Sequence, residues 1–225
     1  MYVSSILSCT VLTKTTVDIA QIRKVLGAAL KSIIDAEPQV TRYDTIVGDG
    51  DCGVGLKRGA EAVLELLNDP SAKLGDDVIN TVNRIVTVVE NTMDGTSGAI
   101  YAIFLHALVH GLREQDKGTA TPANVDVWGT ALKYSIHALS KYTPAQPGDR
   151  TMIDALVPFA KTLADKKDVH AAAKAAQDGT EATKHMKASL GRTVYVGGEQ
   201  EWLGKIPDPG AYGLSEFFNG LAGAL

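Results

Sequence analysis

The sequence predicts an all-α domain of antiparallel amphipathic helices, and three observations predict it. Apolar residues recur at three- and four-residue spacings in about eight segments. Polar stretches rich in glycine and proline separate those segments, and nowhere do strand patterns alternate with helical ones. The 225 residues are 45% hydrophobic and 21% charged, which suits one globular domain that buries its own core.

The elements follow in order. Ile22, Val25, Leu26, Ala29, Ile33 and Ile34 mark a first helix opened by Asp18 and Gln21 as a cap pair and expected to end before Pro38. Ala60, Val63, Leu64 and Leu67 mark a second, stopped by Asn68-Asp69-Pro70. Asp76 and Asp77 open a third through Ile79, Val82, Ile85, Val86 and Val89, whose helical spacing outweighs its β-branched composition. Gly98 to Leu112 is apolar around most of its surface and is expected at the centre of the core. Thr121 as cap and Pro122 in the first turn lead the pattern Val125, Trp128, Leu132, Ile136, Leu139, running on to Tyr142. Met152 to Ala164, Val169 to Leu190 and Tyr212 to Leu225 complete the set. The long interruptions are Thr41 to Gly55, Lys141 to Arg150 and Gly191 to Gly210, and loops of that length in a helical domain are usually functional.

Composition excludes several classes. With 22 Lys and Arg against 26 Asp and Glu, the net charge is −4, so no nucleic-acid partner is expected. No run reads as a bilayer span, so no membrane is expected either. Cys9 and Cys52 alone suggest no disulfide framework and a reducing, cytoplasmic location. Residues 1–17 read as an N-terminal lead-in or linker before a domain at 18–225. Ser4, Ser5, Ser8 and Thr10 interrupt the apolar run there and no basic residue precedes it, so it is not a signal peptide.

The sharpest feature is Asp44-Thr45-Ile46-Val47-Gly48-Asp49-Gly50-Asp51-Cys52-Gly53, with three carboxylates and three glycines in one connection. Like charges so close repel. A hard divalent cation such as Mg²⁺ resolves the repulsion, prefers oxygen ligands and keeps positions open for phosphate oxygens. An isolated Asp-Gly-Asp would read as a solvated turn; the added Asp44 and the glycine-rich continuation favour a metal site.

Three rival motifs fail on mechanism. Gly48-x-Gly50-x-x-Gly53 has the letters of a dinucleotide fingerprint but no preceding strand, and Asp49 and Asp51 would repel a bare pyrophosphate. Leu56-Lys57 follows Gly50-x-x-x-x-Gly55, so no lysine stands in P-loop register. An EF-hand loop starting at Asp49 would need glutamate where Ala60 stands.

Candidate anion sites lie elsewhere. Met93-Asp94-Gly95-Thr96-Ser97-Gly98 places Thr96 and Ser97 at a helix N-terminus, which favours anions and equally suits a plain cap. Arg192 beside Gly191 can offer a planar fork to phosphate. Asp208-Pro209-Gly210-Ala211 closes the last loop, and Gly148-Asp149-Arg150-Thr151-Met152 turns into the sixth helix. His106 and His110, four apart, have no third zinc ligand and read as structural or partly exposed. Trp128, Leu132 and Tyr134 read as core packing.

In this order the motifs resemble the nucleotide-binding L domain of dihydroxyacetone (glycerone) kinases, over roughly Asp18 to Leu225. The resemblance implies a barrel of eight antiparallel helices, running up and down, with Mg-ATP or Mg-ADP held at one rim. It implies that Asp44, Asp49 and Asp51 coordinate two Mg²⁺ ions, and that Cys52, Gly53, Val54, Gly55, Thr96 and Ser97 cradle phosphates. Thr151 and Met152 would line the nucleotide pocket, Arg192 would reach phosphate, and Asp208, Pro209 and Gly210 would close over the nucleotide. Three carboxylates against two Mg²⁺ leave about one positive charge, ready for a polyphosphate. The resemblance further implies glycerone-kinase-type phosphoryl transfer to dihydroxyacetone or glyceraldehyde. In the family it resembles, the ketose is bound by a histidine on a separate K domain or subunit, so no catalytic residue is assigned here. Cys52, where many bacterial members have histidine, and Asp94 look more like the ATP-dependent eukaryotic type. Alternatives are a phosphotransferase-system L subunit whose tightly held ADP is rephosphorylated by a phosphohistidine protein, a nucleotide-dependent regulatory binding protein, and an FAD-cyclising side activity. A homodimer is an open assembly.

Overall fold

The computed structural model describes residues 15–16, 18–116 and 121–225. The expected lead-in, with Cys9, lies outside the described residues except for Thr15 and Thr16. Among the described residues there are nine α-helices: α1 (Ile19–Val47), α2 (Cys52–Asn68), α3 (Val78–Thr92), α4 (Gly95–Glu114), α5 (Val125–Leu139), α6 (Ile153–Lys166), α7 (Val169–Ala182), α8 (Glu199–Trp202) and α9 (Pro209–Gly223). Of these α8 is a single turn, so the all-α expectation of about eight substantial helices holds. Among the described residues the one departure from helix-only structure is a two-residue parallel pairing of β1 (Thr15–Thr16) with β2 (Thr121–Pro122).

Side-chain caps set most of the starts. Asp18 accepts from Ala20 N at 2.9 Å, Asp77 from Asn80 N at 3.1 Å, and Asp208 from Ala211 N at 2.8 Å, with Pro209 in the first turn of α9. The fifth helix departs from the sequence expectation. Thr121 and Pro122 pair with β1, and Asn124 is the cap, its Oδ1 accepting from Asp126 and Val127 N at 3.0 and 3.1 Å. That helix stops at Leu139, leaving Tyr142 exposed.

Two boundaries move for physical reasons. α1 runs through Pro38, which is exposed, so the carbonyl it leaves unpaired can face water while Val40 and Val47 continue the buried face. The expected loop Thr41 to Gly55 therefore shrinks to residues 48–51. α7 ends at Ala182 instead of Leu190, passing into a 3₁₀ turn at Thr183–His185 that ties back to the last loop through Gly204 N to Lys184 O at 2.6 Å.

The helices pack in sequence as α1–α2, α2–α3, α3–α4, α4–α5, α5–α6, α6–α7 and α7–α9, and α9 returns to α1, closing a circuit. Three buried clusters line it: around Phe159, Phe218 and Leu156; around Leu30, Val63 and Ile85; and around Val82, Leu108 and Leu112. Phe159 and Phe218 stack with centroids 3.7 Å apart, and each such burial contributes about 1.5–3 kcal/mol. Between the clusters lies an apolar cavity of about 560 Å³, lined by residues including Leu26, Leu56, Tyr101, Phe104, Met152 and Phe217.

α4 corrects the reading in two ways. By length and composition it is apolar enough to cross a membrane, contrary to expectation, with 39% of its apolar window buried. It is not central but one member of the circuit, packed on α3 and α5 through Phe104, Leu108 and Leu112. Its other face carries exposed His106, paired to Glu90 at 2.6 Å, and His110 beside the exposed Tyr134, which is therefore not core.

Candidate functional site

The carboxylates converge because α1 outlasts its proline. Asp44 sits on the last turn of α1, buried to 6% exposure, and its Oδ2 accepts from Cys52 N at 2.9 Å. This bond bridges the end of one helix to the start of the next. Between them Gly48 packs so closely on the Asp44 carboxylate that a Cβ there would collide with it, and Gly50 turns at φ 82°. Exposed Asp49 and Asp51 are thereby brought round, and one carboxylate oxygen from each of Asp44, Asp49 and Asp51 lies within 4.8 Å of the others.

The electrostatics are those of three mutually repelling carboxylates, of which Asp49 is paired with Arg192. Burial holds the Asp44 carboxyl above its usual range; the Cys52 N–H opposes this, and Asp49 and Asp51 push it further up. Burial likewise drives the Cys52 thiol far above its ordinary value, aided by Asp44, Asp208, Asp51 and Asp49. Three hard oxygen donors in this spacing fit a Mg²⁺-type cation and offer nothing to a soft one.

Of the other predicted residues, Arg192 and Cys52 bond directly to this group and Asp208 feels the charge of Asp44. Arg192, in a 3₁₀ turn at Arg192–Tyr195, places Nε 3.0 Å from Asp49 Oδ2. Cys52 to Gly55 form the first turn of α2. Asp208 caps α9, and burial pushes its carboxyl up to about 7, with the Ala211 N–H and Arg150 opposing and Asp154 and Asp44 adding. Gly210, beyond the buried Pro209, lies against Met152, where a Cβ would come 3.5 Å from the methionine Cβ. Thr96 and Ser97 open α4 and make no hydrogen bond or ion pair to the aspartates. Asp94 stands at the cap position without capping, and its carboxylate instead takes Arg58 Nη2 at 2.6 Å while Arg58 Nε donates to Thr92 O.

Comparison with known proteins identifies the group to which this arrangement belongs. The family model of the DAK2 domain matches residues 46–223. The chain belongs to the DAK2 domain family. It is 41% identical over 216 residues to dihydroxyacetone kinase of Komagataella pastoris, covering 94% of this chain and 35% of that one. It is 42% identical over 205 residues to dihydroxyacetone kinase 2 of Saccharomyces cerevisiae, covering 89% and 34%. Triokinase/FMN cyclase of Homo sapiens is 32% identical over 195 residues, covering 83% and 32%. The chain thus spans about a third of the length of these relatives. Among solved structures, the dihydroxyacetone kinase of C. freundii in complex with AMP-PNP and Mg²⁺ superposes with a TM-score of 0.70 at 27% identity, covering 100% of this chain and 37% of that one.

In this DAK2 domain the structure brings in Asp154, which no sequence motif marks, and gives contacts to Asp149 and Arg150, which the sequence shows only as part of a turn. Asp154, 3% exposed, accepts from Gly148 N at 2.6 Å and Thr151 N at 2.8 Å, fixing the turn that carries Thr151 and Met152. Asp149 ties the same turn to the Arg192 loop through Ser189 Oγ at 2.6 Å, and that bond, with Gln146 N, holds its carboxyl below the usual range. Arg150 between them is buried.

Proposed function

We propose that this DAK2 domain is the nucleotide-binding half of a dihydroxyacetone-kinase-type phosphotransferase. It holds Mg-ATP and delivers the γ-phosphate to dihydroxyacetone or glyceraldehyde held by a partner K domain. The observation that carries the reading is the convergence of the Asp44, Asp49 and Asp51 carboxylates within 4.8 Å at the junction of two helices. The AMP-PNP and Mg²⁺ of the C. freundii enzyme support the ligand, and the kinase relatives, three times as long, leave room for a ketose-binding partner domain.

In this reading Asp44, Asp49 and Asp51 hold two Mg²⁺ ions, which neutralise phosphate charge when bound. The first turn of α2, Cys52 to Gly55, and the Thr96 and Ser97 positions each offer the positive end of a helix to phosphate oxygens, with Cys52 N already engaged by Asp44 Oδ2 and Gly55 N by Asp51 O. Arg192 exchanges its Asp49 partner for a phosphate oxygen. Thr151 and Met152 line the pocket, and Asp208, Pro209 and Gly210 cover the nucleotide. Phosphoryl transfer needs position and charge neutralisation, so no general base is assigned. The free thiol of Cys52 accords with a reducing, cytoplasmic compartment.

Calorimetric titration of the chain with ATP and ADP, each with Mg²⁺ and with EDTA, tests the first half of the reading. Metal-dependent binding of both supports it, and binding of neither by a folded sample refutes it. Adding a ketose-loaded K domain in trans tests the second half through triose phosphate formation. The triokinase/FMN cyclase relatives favour one further reading, FAD cyclisation with release of AMP at the same site. It fails if the metal-loaded chain, with and without the K domain, leaves FAD intact.

A further inference from the structure

Arg150 is 1% exposed although it stands in a connection whose neighbours Pro147 and Gly148 are exposed. Its backbone adopts φ 59°, uncommon for a residue with a Cβ, and its side chain lies in the interior. There Nη1 donates to Thr183 O at 3.3 Å, Nη2 donates to Ile206 O at 3.1 Å, and the guanidinium carbon lies 4.6 Å from the Trp202 ring centroid. The two carbonyls belong to different segments, one at the end of α7 and one just ahead of Asp208. Thr183 then continues the chain of contacts: its hydroxyl accepts from Asp208 N at 2.8 Å and donates to Thr180 O at 2.6 Å. On the other side of Arg150, Asp154 grips the N–H groups of Gly148 and Thr151.

The cluster is costly. Arg150 Nε and Trp202 Nε1 are buried without a hydrogen-bond partner among the described residues, where apolar side chains would incur no such penalty. What the guanidinium supplies is geometric. Its rigid fork spans two carbonyls on separate segments at once, which an ammonium on a flexible stem does not do.

We infer that Arg150 is a positioning residue that locks the segment 206–210 to the turn 148–152, so that the two walls of the nucleotide pocket move as one body. Its own partners are the Thr183 and Ile206 carbonyls and the Trp202 ring. The inference rests on the functional reading above, which places Thr151–Met152 and Asp208–Gly210 against the nucleotide.

The test is hydrogen exchange of the 225-residue chain with and without Mg-ADP, read segment by segment, beside calorimetric affinity. In the unaltered chain Mg-ADP protects both 148–156 and 204–214. In Arg150→Lys it still protects 148–156, protection of 204–214 is lost, and affinity falls about tenfold, as for one lost charged hydrogen bond. A general loss of packing would instead raise exchange in both segments equally, with or without nucleotide. Arg150→Gln gives a second route if the lysine variant fails to fold, because it removes the buried charge and the fork while keeping a donor for one carbonyl, and the same selective loss is expected. Equal protection of both segments in a variant that binds Mg-ADP as the parent does overturns the inference alone. If the unaltered chain binds no Mg-ADP, the functional reading falls and the inference with it.

Discussion

Arg192 Nε lies 3.0 Å from Asp49 Oδ2, an ion pair joining the last long loop to the carboxylate junction of α1 and α2. Both side chains are substantially exposed, 73% and 40%, so the pair adds little to stability. Its significance is positional, because it keeps a guanidinium beside three carboxylates that repel one another. In the proposed reading, a cation held by the aspartates would compete with Arg192 for Asp49, and the fork would then be open to a phosphate oxygen.

Asp49→Asn and Asp51→Asn are each expected to abolish Mg-nucleotide binding in calorimetry while the far-ultraviolet circular dichroism stays that of the parent. Each change removes a hard ligand and relieves repulsion at an exposed position, so Tm is expected to stay level or rise slightly. Retained affinity would move the metal elsewhere.

Arg192→Ala is expected to act more on transfer than on binding. The aspartates and the two helix N-termini remain, so affinity for Mg-ATP should fall by less than about tenfold. A phosphate clamp that tightens as charge develops counts mainly in the transition state, and turnover with a K domain in trans should fall about a hundredfold or more. Equal losses in both would make Arg192 an ordinary binding residue.

Much of this was legible in the sequence, and the failures are instructive. Thr96–Ser97 stand at a helix start as expected, whereas the last helix begins at Pro209, capped by Asp208, three residues before the expected Tyr212. Pro38 reads as a stop and so puts Asp44 in a loop, although Ile33, Val40 and Val47, each seven apart, carry one buried face past it. Arg150 and Asp154 gave no usable signal. An arginine in a turn normally faces water, and neither its positive φ nor its partners at Thr183 and Ile206 can be read from the local sequence.

The raised Asp208 carboxyl makes a pH prediction. Its folded value of about 7 stands above the ordinary 3.8, so the folded chain keeps a proton that the unfolded chain has released. Asp208 therefore favours the fold fully only below about pH 4, and that advantage is lost as pH rises towards 7. Asp208→Asn keeps an oxygen for the Ala211 N–H and removes the charge. In metal-free urea denaturation it is expected to match the parent near pH 4 and to be more stable at pH 8 by about 1–3 kcal/mol. A variant weaker than the parent at pH 8 would show that the charge is compensated in the fold.

Cys52 is expected to resist alkylation. Burial and four nearby carboxylates suppress its thiolate, the species that reacts. Iodoacetamide at pH 8 should label it about a hundredfold or more slowly in the folded chain than in denaturant, as read by peptide mass mapping. Rapid labelling of the folded chain would mean that the first turn of α2 opens readily.

The last prediction concerns the helix crossing that makes the site. At Gly53 a Cβ would collide with Thr41 Oγ1 and come within 2.7 Å of Glu37 O and 2.8 Å of Thr41 N, so α2 approaches the α1 backbone directly. Thr41 Oγ1 could rotate away, but the Glu37 carbonyl and Thr41 amide belong to α1 and cannot. Gly53→Ala must push the helices apart by a few tenths of an ångström or more, costing about 1–3 kcal/mol in chemical denaturation. The same displacement stretches the 2.9 Å bond from Cys52 N to Asp44 Oδ2, which orients the buried carboxylate. Mg-nucleotide affinity should therefore fall although none of the three carboxylates has changed. Gly55→Ala, where a Cβ meets nothing within 4 Å, is the matched comparison, expected to fold as the parent does. If both glycines tolerate alanine equally in stability and affinity, the α1–α2 crossing does not set the geometry of the carboxylates.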